Sequence, residues 1–297
     1  MIERGGSRSV CTVRRGWRIH VVTILAYTLL ALVLTWPMVA RLTTHVPGNG
    51  IDDPPLTWNL WWIRSAILEL GRNPFDSDFL FYPLGINLAF YTFDLLDGLL
   101  SIPLQAAFGL IPASNLLLLS TYVLSGYGAF LLALYVLGAG GTGQGGDGDS
   151  RSRASPEVRD PGPALMDGRL LAAAFLAGVL YAFASNKLAY AALGQLPIAS
   201  SQWIPLYVLF LFKAGDAPHR WRDALLASVF LLLQAYAELT FAVFLVLFTA
   251  LWVVCQALVR FRRGDVPGTG RWLAGLILIG TIFVLGLTPV LWMMIPD

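Results

Sequence analysis

Between Gly98 and Gly146 the chain carries no Asp, Glu, Lys or Arg, and Leu99 to Leu137 of that stretch is strongly apolar. The hydrocarbon core of a bilayer, about 30 Å thick, is crossed by a helix of about 20 apolar residues. Uncharged runs of this kind recur along the 297 residues. Hydrophobic residues make up 57% of the chain and charged ones 13%, about half the share of a soluble domain. Mean hydropathy is +0.67. A net charge of +2 is too mild for a nucleic-acid binder. Two cysteines, Cys11 and Cys255, give no disulfide framework or zinc spacing, and His20, His45 and His219 are too scattered to form a ligand pattern.

These features predict an all-α, polytopic bundle of transmembrane helices with about eight apolar segments: 19–40, 94–111, 113–137, 170–185, 196–213, 224–238, 240–259 and 273–294. Lipid cannot satisfy free backbone groups, and no ten-residue alternation suggests a barrel. The first segment is read as an uncleaved anchor, because Val21 to Ala40 exceeds a signal core of about 7–15 residues. Residues 1–18 form a basic tail. Residues 138–168, rich in glycine with scattered Asp, Arg and Ser, read as a disordered linker. That linker accounts for the formal G-x-G-x-x-G at Gly138–Gly143, which lacks the preceding strand and following helix of a dinucleotide site. The remaining membrane helices fall in 169–297.

Five arginines in residues 1–20 place the N-terminus in the cytoplasm of a cell-membrane protein, with loop 41–91 outside. Lys213, Arg220 and Arg222, and then Arg260, Arg262, Arg263 and Arg271, mark inner loops. Stretch 224–259 is then a hairpin turning outside near Glu238. With 138–168 inside, segments 94–111 and 113–137 cannot both cross. Segment 94–111, interrupted by Asp94, Asp97 and Pro103, is expected to be shallow.

Loop 41–91 is expected to be ordered. Leu56, Leu60, Ile63, Ile67 and Leu70 make a helical stripe, with Trp58 and Trp62 on another face, a pattern suited to an interfacial helix. Asp52 and Asp53 precede it. Adjacent carboxylates there can accept a proton from a hydroxyl or bind a divalent cation. Asp53 followed by Pro54 equally resembles a helix cap with proline at the first helical position. Asp94 and Asp97 share one helix face. Lys187 and Glu238, close to or within apolar runs, join them as candidate substrate contacts, against the plainer readings of a snorkelling lysine and a turn residue. Asn186, Gln195 and Gln202 lie around the same outer turn. Asp76 and Asp78 read as solvated loop residues.

Trp-Asn-Leu-Trp-Trp (58–62), Asn-Pro-Phe (73–75), Phe-Tyr-Pro-Leu-Gly (81–85) and Gln-Trp-Ile-Pro-Leu-Tyr (202–207), after an acidic first outer loop, resemble bacterial membrane glycosyltransferases of the GT-C class, specifically their YfhO-like relatives. The resemblance covers most of 17–260. It implies transfer of a sugar from a polyprenyl-phosphate carrier to an acceptor glycan, lipid or protein outside the cytoplasm. Asp52 or Asp53 would be the essential acid or base, with Mg or Mn as a candidate metal. Arg64 and Lys187 are the candidates for the lipid phosphate. Members of the class run to more spans and often a soluble C-terminal domain, so a chain stopping at Asp297 is expected to be an N-terminal fragment. A lipid or solute transporter (or flippase) and a non-catalytic membrane scaffold are the competing readings.

Overall fold

The computed structural model describes residues 8–141, 168–216, 221–263 and 266–293. It is almost wholly helical: α1 (Arg8–Leu34), α2 (Asp53–Arg64), α3 (Leu95–Phe108), α4 (Leu110–Gly141), α5 (Gly168–Ala182), α6 (Ser185–Ala192), α7 (Leu196–Ala199), α8 (Trp203–Asp216), α9 (Trp221–Ala237), α10 (Leu239–Arg263) and α11 (Val266–Met293). A two-stranded antiparallel hairpin, β1 (Asp76–Ser77) with β2 (Ile86–Asn87), pairs Asp76 with Asn87. The linker expected over 138–168 falls mainly outside the described residues, although α4 continues to Gly141. The basic tail expected over 1–18 is already helical from Arg8.

Among the described residues five helices, not eight, are long and apolar enough to cross a membrane: Trp17–Leu34, Leu110–Gly138, Gly168–Ala192 (α5 and α6 together), Leu239–Arg262 and Trp272–Met293. The other three expected segments form shorter helices. α3 and α8 have 14 residues each and α9 has 17, so α3 and α8 are each about 21 Å long.

Hydrogen bonds assign the helix ends to two faces. Asn115 Nδ2 at the start of α4 donates to the carbonyls of Leu42 and His45, each at 2.8 Å. Gln195 reaches Asp52, Gln234 Nε2 donates to Ser200 O, and Asn87 Nδ2 donates to Met293 O. The turn after α6, the end of α9 and the end of α11 therefore share the face of loop 41–91. On the opposite face Tyr135 Oη donates to Asp216 at 2.6 Å, and Arg260 donates to Gly215 O at 2.8 Å. α3 stays on the loop face: Asp97 at its start accepts from Ser200, and Gln105 near its end donates to Leu60 O of α2. It therefore adds no crossing, whereas α8 and α9 run between the faces as a short inner hairpin.

α4 is the central helix, half buried along its apolar length where the other four membrane-length helices are 11–17% buried. Its close contact with α1 and α5 depends on glycine. Tyr27 of α1 stacks on Phe175 at 4.9 Å and donates to its carbonyl at 2.9 Å, filling the space that a Cβ at Gly178 or Gly126 would need. Gly178→Val would have to displace Tyr27. A loss of about 1–3 kcal/mol is expected, visible as a lower thermal midpoint of the purified chain; an unchanged midpoint would show that the three helices do not pack in this way.

The interfacial reading of 56–70 requires correction. α2 ends at Arg64 and gives way to a π turn over Ser65–Glu69. Both of its faces are covered by protein: Leu60, Ile63 and Trp62 are at most 1% exposed. Trp62 stacks on Trp58 at 5.6 Å and donates to Pro74 O at 2.8 Å. The remainder of loop 41–91 and α3 fold over the helix, so the Trp62 indole packs inside protein, with Trp58 and Trp61 half-buried beside it.

Candidate functional site

Two polar clusters meet on the loop face, joined by the turn 193–202. In the first, Asp52 occupies the cap position of α2 but makes no capping hydrogen bond. Its Oδ2 accepts from Gln195 Nε2, 143 residues away. Asp53, the first residue of α2, does not cap the helix either. Its Oδ1 turns back to accept the Gly50 N–H at 2.7 Å, bracing the preceding loop. The reason is steric as well as polar. Gly194, at φ +76°, passes so close that a Cβ would lie 2.5 Å from Asp53 Cβ and 2.6 Å from Pro47 O; the loop is clamped between α2 and this turn. Tyr91 lies nearby, its phenol pKa raised by burial and, second, by the Asp52 charge. It therefore remains a neutral hydroxyl beside a carboxylate.

The second cluster is buried. Asp94 caps α3, its Oδ1 accepting the Asp97 N–H at 3.2 Å. The two residues are 3% and 1% exposed. Asp97 Oδ2 accepts from Ser200 Oγ. Lys187, 5% exposed, donates to Ser125 Oγ at 2.6 Å, Thr121 O at 3.2 Å and Ser201 Oγ at 3.3 Å, with its ammonium 5.3 Å from the Tyr122 ring centroid. Its charge also acts on Asp97. The Gln234 amide donates to Ser200 O at 2.9 Å. Glu238 borders this cluster at the turn after α9: its N–H donates to Gln234 O, its Oε1 accepts the Thr240 N–H at 3.2 Å at the start of α10, and its charge acts on Asp94.

Burial, then the charge of Asp97, holds the Asp94 carboxyl well above the usual carboxylate range. Geometry agrees: Asp94 Oδ2 is buried with no donor, and a proton on it can be given to Asp97. Burial raises Asp97 too, opposed by the bonds from Asp94 and Ser200 and by the Lys187 charge. The folded chain thus keeps a proton on Asp94 that the unfolded chain releases. The stability linked to this proton is full below the ordinary carboxylate pKa and declines as pH rises toward the raised one. Asp94→Asn removes that titration, so its melting temperature should change less than the parent's between about pH 5 and about pH 8. Parallel pH profiles would show Asp94 ionised throughout.

The sequence-derived candidates therefore divide. Asp52 and Asp53 share one cluster, and Asp94, Asp97, Lys187 and Glu238 share its neighbour. Arg64 joins neither. It pairs with Glu69 at 3.3 Å, about 16 Å along α2 from Asp53. Lys187 spends its ammonium protons on the protein. Tyr91, Ser125, Ser200, Ser201 and Gln234 were not singled out from sequence; the polar pair Ser200-Ser201 ahead of Gln202-Trp203 was the available signal. Asp76 and Asp78 line a separate cavity of about 570 Å³ with Arg72, Asn73 and Asn87.

Among the described residues no three His, Cys, Asp or Glu side chains gather as a metal-ligand set. Asp52 and Asp53 offer two carboxylates, each with one oxygen already hydrogen-bonded. Mg²⁺ bound beside phosphate oxygens takes one or two carboxylates, so these two are the residues that would hold one; a calcium cage needs more oxygens than they supply. No family model, no curated protein and no solved structure matches this chain.

Proposed function

We propose that the protein is a multi-pass membrane glycosyltransferase that takes a hexose or pentose from a polyprenyl-phosphate carrier on the loop face. The observation carrying this reading is the partly buried Asp52 carboxylate, oriented by Gln195, whose own Oε1 is buried without a partner. A hydroxyl entering there finds two acceptors, the Asp52 carboxylate and Gln195 Oε1. Asp52 removes the acceptor's O–H proton, and the freed oxygen attacks the anomeric carbon. The bond from that carbon to the phosphate oxygen breaks with its electron pair on the phosphate, and the anomeric configuration inverts. Asp53 holds the loop that carries Asp52. A divalent cation bound through Asp52 and Asp53 would supply charge neutralisation at the departing phosphate. Asp94, Asp97 and Lys187 form the buried cluster behind Asp52, with Glu238 at its edge, and are the candidates for contacts to the substrate once that cluster opens; of these Asp94 is the proton-bearing group.

Orientation follows the positive charges. Arg18 lies near the start of the span Trp17–Leu34, and Arg169, Lys213, Arg222, Arg260 and Arg262 lie at helix ends of the opposite face, which supports a cytoplasmic N-terminus and chemistry outside the cell membrane. The test is release of polyprenyl phosphate from a polyprenyl-phosphate hexose or pentose in membranes containing the chain, with Asp52→Asn as the inactive control.

A second reading, a transporter or flippase, is favoured by one observation: Lys187 and Asp97 are both buried on the loop side of the bundle, with the Lys187 charge acting on Asp97, where ionisable groups mark ion and substrate paths. It requires Asp97→Asn to stop flux while Asp52→Asn leaves it intact. In a scaffold, both carboxylates would be expendable.

A further inference from the structure

The turn joining β1 to β2 presents large apolar groups outward. Phe81, Tyr82 and Leu84 are 71%, 83% and 91% exposed. This turn is held from behind. Phe79 packs against Trp61 and Trp62 with ring centroids 5.8 and 5.2 Å away, Leu88 N donates to Phe75 O at 2.6 Å, and Leu84 N closes the turn onto Phe81 O at 2.9 Å. Arg72 grips Asp78 through two 3.1 Å bonds at the base. Three apolar side chains held outward on a braced turn form a surface that water does not favour.

Asn87 says what covers it. Its side-chain amide donates to Met293 O at 2.9 Å, at the end of the membrane-length helix Trp272–Met293. The base of the hairpin is thereby fixed at the level where a span leaves the bilayer. Trp292, 74% exposed, and Leu291, 44% exposed, directly precede Met293 on α11, so exposed apolar groups stand on both partners of that bond. Aromatic side chains at such a level sit among the headgroups.

We propose that residues 79–84 form a finger seated in the headgroup layer of the leaflet at the loop face, with lipid as its partner. The finger holds loop 41–91, and with it Asp52, at a fixed depth relative to a lipid-borne substrate. The inference does not depend on the chemistry proposed for Asp52.

The test places a single spin label on the full chain at Tyr82→Cys and, separately, Leu84→Cys, with Cys11 and Cys255 replaced by serine, in phosphatidylcholine–phosphatidylglycerol vesicles. Collision with oxygen relative to a water-soluble nickel chelate should be several-fold higher at both positions than for free label in buffer. It should approach, without reaching, the value at Leu251→Cys on the exposed face of α10. Values equal to those of free label would overturn the proposal. Shielding from both quenchers would also overturn it, by showing that protein, such as a second copy, covers the finger.

Discussion

Asp52→Asn is expected to lower sugar transfer by about 10²–10⁴-fold, the contribution of a positioned general base, with little change in melting temperature. Asparagine keeps the size of the side chain and an oxygen that can still accept from Gln195 Nε2, so the loop remains in place while the proton acceptor is lost. Gln195→Ala separates positioning from catalysis. It leaves the carboxylate but frees its orientation, so activity should fall less and the pH profile should shift. Asp53→Asn should weaken the bond to Gly50 N and act through the loop, producing a smaller loss. If Asp52→Asn transfers sugar at the parent rate, the proposed role of this carboxylate is wrong, whatever the other variants do.

Lys187→Met is expected to be the most destabilising single substitution considered. It removes the cation whose charge acts on Asp97, 1% exposed, and strips Ser125 and Ser201 of their donor. A buried hydroxyl left without its partner costs about 1–3 kcal/mol. Asp97→Asn in the same chain removes the charge on which Lys187 acts, so Lys187→Met/Asp97→Asn should recover part of the loss. The measurement is a double-mutant cycle on thermal or denaturant unfolding. Independent, additive effects would mean that the two charges do not interact, and the transporter reading would lose its support with them.

The helical class was legible because it follows from composition and run length, residue by residue. The shallow 94–111 was legible too: Asp94, Asp97 and Pro103 interrupt it, and α3 has only 14 residues with both ends among loop-face elements. The count of eight failed because apolar segments such as 196–213 and 224–238 look alike whether lipid or protein surrounds them. In the folded chain they become the short helices α8 and α9, packed against α4 and α11. Loop 41–91 carries the same ambiguity. Trp58, Trp61 and Trp62 carry no mark that distinguishes a headgroup layer from an aromatic core, and Trp62 found Pro74 O as a partner inside the protein.

The candidate acids were found as residue types at the ends of apolar runs, but their partners were not. For Lys187 the partners are Thr121, Ser125 and Ser201, which take its protons in the fold. Asp53 was a plausible helix cap until Gly50 took its oxygen.

By itself the sequence determined that the chain is helical and built around membrane-length apolar segments, because the cost of moving each side chain and peptide group out of water is local and additive along the chain. Only the tertiary structure decided that Asp52 meets Gln195 across 143 positions and that Asp97 meets Ser200 across 103. Such pairings depend on how helices pack, and packing is set by shape and close approach at places such as Gly178 and Gly194, which leave no periodic trace in the order of residues.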